Sequence, residues 1–309
     1  MNAQTILIAL IAGATSFVLM AAGLVGGLSG FPLLMLSPLP IVITSLGWGT
    51  LAGGLAALAG MVCIFFFAHL NSAFIYLAGI GFPAAYLSHL IGLSRQDDPD
   101  QEEEWFPGGD IMFRSIILGG LVFGLGFIIS NFDIAEFTQA ALAGFEPTIQ
   151  QLEASTQQTF RDALTFQIRM LPFFVPATWL LMIWINIWLG VKVAKLSNRM
   201  NRPKFTLKDA DIPFATALVL GVAVVVSFTA PPLSYLGAAF MGACGMALVI
   251  MGCVTLHVVT LNNKLRGIML SLLYASMLFF GFPIFIMAGL GLADFFLKIR
   301  QRFLLANPL

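Results

Sequence analysis

Charge is what this sequence has least of. Only 10% of its 309 residues are Asp, Glu, Lys or Arg, against about a quarter in soluble domains. No charged side chain occurs before Arg95. Such a chain cannot cover its surface with solvated groups. That excludes a water-soluble globule and points to an integral membrane protein whose solvent is the lipid bilayer. The 15 basic and 15 acidic residues cancel, so the basic excess of a nucleic-acid partner is missing. Histidine and cysteine are scarce as well. His69, His89 and His257 are not followed by a second ligand at i+3 or i+4, so no metal centre is expected. Cys63, Cys244 and Cys253 lie in apolar runs and read as buried thiols. Neither G-x-x-x-x-G-K-[ST] nor G-x-S-x-G occurs, and no nucleophile–base pair can be assembled. The expectation is a chain that is not an enzyme, carries no cofactor and cannot use ATP by the P-loop route.

What is present is apolar sequence, interrupted. Residues 1–94 as one helix would extend about 141 Å, whereas a hydrocarbon core is about 30 Å thick. Glycine, proline and polar residues must therefore mark turns. The expected fold is an all-α polytopic transmembrane helical bundle of 8–10 membrane segments, falling into two membrane halves. Residues 1–132 hold spans at 5–28, 31–47, 49–68, 74–93 and 111–131. Residues 170–309 hold spans at 170–190, 213–229, 234–258, 267–281 and 282–297. The segment 31–47 is short enough to be re-entrant instead, and 267–297 could be a hairpin or one kinked helix. The N-terminus lacks a basic n-region and its apolar run is too long for a signal peptide, so it reads as a retained first span.

Residues 133–169 are polar and separate the halves. Ile134, Phe137, Ala141 and Phe145 recur every three or four positions, as do Ile149, Leu152, Phe160, Leu164 and Ile168 less regularly. This is the pattern of two amphipathic helices lying on the membrane face, with Gly144 ending the first and Pro147 opening the second. Lys and Arg set the orientation. If the loops 94–110, 192–211 and 262–266 and the C-terminus are cytoplasmic, and Arg114 is counted with its loop, all basic residues but Arg161 and Arg169 lie inside. With ten spans, which requires that 31–47 crosses and 267–297 is a hairpin, both termini are cytoplasmic and the amphipathic pair is an external insertion. The acidic run "DDPDQEEE" reads as a solvated loop or a dock for a basic partner.

"SPLPIVITSLGWGTLAGGLAALAG", Ser37 to Gly60, combines helix-breaking prolines with small residues. Gly49, Gly53 and Ala57 form one stripe; Ala52, Ala56 and Gly60 form the next. Such stripes let helix backbones approach closely or line a cavity, and broken helices at membrane depth mark substrate sites in some transporters. The candidate cavity or functional residues are Thr44, Ser45 and Trp48 at the break, Asn186 in the middle of an apolar run, and Asp294. Asp294 is the acidic residue set inside an apolar segment, with Lys298 at i+4 as its expected partner.

The opening pattern and the ending "GLADFFLKIRQR" resemble the YybS-like bacterial membrane proteins. That group ends in G-x-x-D-x-x-x-x-R, which maps onto Gly291, Asp294 and, one position off in spacing, Arg300. The group is distantly similar to the substrate-binding S components of energy-coupling-factor transporters. The resemblance implies a bacterial cytoplasmic (inner) membrane and a transport or solute-binding subunit. It implies a small-molecule ligand and a separate ATPase or other membrane-protein partner, without naming a substrate. The alternative is a membrane scaffold or regulator of an envelope process.

Overall fold

The computed structural model describes residues 1–96, 98, 103–200, 202–203 and 211–306. Most of the acidic run and the Lys204 and Lys208 part of the basic loop lie outside the described residues. The chain is an all-α helical bundle with one short hairpin, Ser94–Arg95 against Glu104–Trp105. Its first half holds α1 (Ala3–Val25), α2 (Gly27–Met35), α3 (Leu39–Trp48), α4 (Thr50–Phe67), α5 (Leu70–Tyr76), a π-helical turn (Leu77–Gly81), α6 (Phe82–Gly92) and α7 (Gly108–Ile129). Then follow α8 (Ile134–Ile149), α9 (Ala154–Arg169), α10 (Leu171–Leu196), α11 (Ala215–Ser227), α12 (Leu233–Val259), α13 (Arg266–Phe280), α14 (Pro283–Leu297) and α15 (Ile299–Ala306). Seven segments among the described residues are long and apolar enough to cross a membrane, with α2–α3 and α5–α6 each counted as one; α11, α13 and α14 are shorter. Integral membrane character follows from this composition.

The segment around 31–47 is two helices because of its prolines. Pro38 and Pro40 have no N–H to continue the ladder from α2, yet suit the first turn of α3. The break falls at Leu36–Pro38. The final segment also divides: Gly281 has φ +71° and separates α13 from α14. They are two helices, not one kinked helix. Gly49 is not part of a stripe on α4. It is the junction between α3 and α4 with φ +95°, a conformation glycine adopts without steric cost. The amphipathic helices divide later than the pattern implied. Gly144 stays helical inside α8, and Pro147 sits in its last turn, where a single backbone bond is forgone. The turn instead spans Gln150–Glu153. Phe145 and Phe160 meet across it at 6.1 Å, and Arg161 Nη2 donates to Glu146 Oε2 at 2.8 Å.

The small residues of α4 pack against neighbours. Gly60 abuts the Tyr76 ring and Gly53 abuts Ser45, while Gly13 of α1 lies on the backbone of Ala56 and Gly60. Elsewhere Gly252 of α12 and Gly291 of α14 face each other so closely that a Cβ on either would meet backbone. α7 and α12 run antiparallel, pairing Gly119 with Ala243 and Gly124 with Leu236.

This packing separates two adjacent glycines. Gly53→Leu should destabilise the bundle by about 1–3 kcal/mol through overpacking. Gly54→Ala, where nothing lies within 4 Å of an added Cβ, should match or slightly exceed wild type. Thermal unfolding in detergent compares the two.

Candidate functional site

Breaking a helix at membrane depth frees carbonyls that lipid cannot satisfy. Here protein satisfies them. Asn186 of α10 donates from Nδ2 to Met35 O at 2.7 Å and to Met182 O at 2.8 Å. Ser16 of α1 donates to Ser37 O at 2.6 Å, and Tyr76 donates to Ser16 Oγ at 2.7 Å. Asn186 thus ties α10 to the end of α2. A parallel case is the π-helical turn, where Trp179 Nε1 donates to Gly79 O at 2.5 Å. Of the other candidates, Thr44 and Ser45 are buried in packing. Trp48 carries the Arg199 guanidinium 4.2 Å above its ring. Asn186, Ser16, Tyr76 and Trp179 thus join helices.

Asp294 behaves differently from the expectation. Lys298 is in the left-handed conformation at the end of α14; its backbone N–H still donates to Asp294 O at 2.8 Å, but its side chain is turned away from the Asp294 carboxylate. Its Nζ lies 3.9 Å from Asp211 Oδ2 instead. The partner of Asp294 is Arg300, whose Nε donates to Asp294 Oδ2 at 2.7 Å while its backbone N–H donates to Oδ1 at 2.8 Å. Both side chains are about 95% buried. Arg300 Nη2 reaches Asp211 Oδ1 at 3.0 Å, and Gln301 also donates to Asp211. A latch therefore fixes α15 and the segment before α11 onto the bundle. Arginines gather elsewhere at this end. Arg202 donates to Ile91 O and Phe106 O, each at 2.8 Å, so it caps α6 and holds the entry to α7.

The opposite end of the bundle carries a polar cleft of about 700 Å³ between the α8–α9 hairpin and the α11–α12 junction. Asp133 lines it but is occupied: its Oδ1 accepts from Ala135 N at 2.7 Å, capping α8. Gln139, Thr165, Arg169, Ser234 and Tyr235 also line the cleft. None of these five side chains has a hydrogen-bond or ionic partner among the described residues. Tyr235 is only 7% exposed, with its ring packed on Phe127 and Phe132. Its hydroxyl has no hydrogen-bond partner among the described residues. One sequence signal for this site existed: Arg169 is one of the two basic residues that break the charge-based orientation. Ser234 and Tyr235, far along the chain, had none.

A second cleft, about 900 Å³, lies between the π-helical turn, the C-terminal half of α7 and the start of α10. Its walls are apolar, with Asn71 and Ser130 as polar lining. Among the described residues no group of three His, Cys, Asp or Glu is placed to hold a metal ion. In comparison with known proteins, no family model, no curated protein and no solved structure matches this chain.

The latch makes a direct prediction. Asp294→Ala leaves the buried Arg300 with the half-exposed Asp211 as its remaining carboxylate partner and, through the lost buried pair, should cost up to about 3–5 kcal/mol. Asp294→Arg combined with Arg300→Asp should recover part of the loss. Thermal unfolding of the two variants reads both effects. An Asp294→Ala protein as stable as wild type would show that the pair carries no such weight.

Proposed function

We propose that this chain is a membrane-embedded transport or solute-binding subunit that takes a small polar solute into the cleft beneath the α8–α9 hairpin. The observation supporting this is the set of five polar side chains that line one cleft and have no hydrogen-bond or ionic partner among the described residues. Unmet donors and acceptors at the edge of an apolar bundle are costly unless water or a ligand meets them, and pockets of this volume suit small molecules. Arg169 supplies a planar fork of donors suited to an acidic group. The hydroxyls of Thr165, Ser234 and Tyr235 supply orientation. The amphipathic hairpin is the cover. In this reading the protein resides in a bacterial inner membrane with the hairpin outside and both termini inside, and energy input comes from a separate ATPase partner.

A second reading, a membrane scaffold, has its own observation. α13 is apolar, yet no residue along it is buried. A helix with only half-buried and exposed residues leaves much of its apolar surface available to another membrane protein. Co-purification separates the readings. An ATPase partner supports transport, whereas an envelope-assembly partner without nucleotide hydrolysis supports scaffolding.

The solute site is tested by native mass spectrometry of mildly extracted protein. The wild type should retain a small polar molecule. Arg169→Gln, which removes a charge-assisted contact, should lower retention about tenfold, and Tyr235→Phe by less. A wild type that retains no small molecule, or retention unchanged in Arg169→Gln, contradicts the assignment.

A further inference from the structure

The end of the bundle that carries the arginines holds another cleft, of about 720 Å³, which the solute reading does not use. Two parts compose it. The deep wall is apolar and includes Phe82, Phe113, Ile117 and Leu118. The rim is charged: Asp110, the third residue of α7, and Arg114 one turn later. Side chains at i and i+4 with these charges commonly pair on a helix, yet these two form no ion pair. Asp110 is half-buried and has no partner among the described residues. Arg114 is exposed, donates from Nη1 to Tyr86 Oη at 3.1 Å, and lies 5.1 Å from the Phe106 ring centroid. From Asp110 to Leu118 the helix rises about 12 Å. The cleft therefore runs from a rim bearing one anion and one cation to an apolar wall at greater depth.

We propose that this cleft binds a zwitterionic phospholipid of the ethanolamine type. The Arg114 guanidinium faces the lipid phosphate, the Asp110 carboxylate takes the primary ammonium, and an acyl chain lies on Phe113, Ile117 and Phe82. Charge complementarity selects this headgroup over others. An anionic headgroup such as phosphatidylglycerol offers Asp110 neutral hydroxyls but no cation, and its net negative charge is not offset there. A choline headgroup brings a cation without N–H donors, whereas an ammonium offers three to a carboxylate. The unpaired state of Asp110 beside Arg114 follows: each charge is kept for a complementary charge on one ligand. This proposal is independent of the solute site, which lies at the other end of α7.

The test is a competition read by native mass spectrometry. Delipidated protein is offered equimolar dioleoyl phosphatidylethanolamine, phosphatidylcholine and phosphatidylglycerol in mixed micelles. The wild type should retain the ethanolamine lipid about fivefold over either competitor. Asp110→Asn should remove that preference while total lipid retention persists, and Arg114→Gln should lower retention of all three. Equal retention of the three lipids by wild type, a preference for phosphatidylglycerol, or an Asp110→Asn protein that keeps the ethanolamine preference would each overturn the proposal. The wild-type competition requires no variant to fold, so a misfolded substitution leaves the question decidable.

Discussion

Lipid offers no hydrogen-bond partners, so every backbone group exposed by an irregular helix must be met from within the chain. The bundle depends on how that constraint is satisfied at two places. At the Leu36–Pro38 break, Asn186 takes the Met35 carbonyl and Ser16 takes the Ser37 carbonyl. At the π-helical turn, Trp179 takes the Gly79 carbonyl. Both Asn186 and Trp179 belong to α10. One helix therefore secures two irregular segments that are far apart in sequence, while Ser16 and Tyr76 bring in α1 and α5. The small residues of α4 let α1 and Tyr76 approach closely where the Tyr76–Ser16 bond forms. Irregular backbone and close packing support each other here.

The same fixed framework gives the molecule two unlike ends. Gly109 abuts the Asp211 backbone at the start of α7, and Asp133 follows its end. The 22 residues of α7 rise about 33 Å, so the Asp211–Arg300–Asp294 latch and the polar cleft are separated by roughly the thickness of a hydrocarbon core. Ion pairs and arginine–carbonyl contacts close one end. At the other end, under a helical hairpin, polar side chains line a cleft with no protein partner among the described residues. That contrast is the basis of the proposed solute-binding role.

The helices were legible because their signals are local: long apolar runs, prolines at 38 and 40, glycine at 281, and a polar amphipathic stretch between the halves. The small-residue pattern around Gly53 also announced close contact, although not its partner. Other features depend on residues that meet only in three dimensions. Asn186 stood out as a polar residue in an apolar run, but its acceptor lies 151 positions away. Asp294 stood out as a buried acid, yet local helical spacing named Lys298, whereas the chain turns at that residue and delivers Arg300. Gly144 and Pro147 suggested a break that the α8 backbone absorbs, because a proline in a final turn forgoes only one bond. The polar cleft was least legible. Arg169 and Tyr235 belong to segments joined by tertiary packing alone.

The two-ended account is tested most directly by asking which side of the membrane each end faces. Ser155 is exposed on the α8–α9 hairpin, and Asn262 is exposed in the α12–α13 loop, at the latch end. Each is replaced singly by cysteine in a chain whose Cys63, Cys244 and Cys253 have been removed, and an impermeant maleimide is applied to intact cells. The account predicts that position 155 reacts in intact cells, while position 262 reacts only after permeabilisation. Reaction of both positions in intact cells, or of position 262 alone, would contradict it.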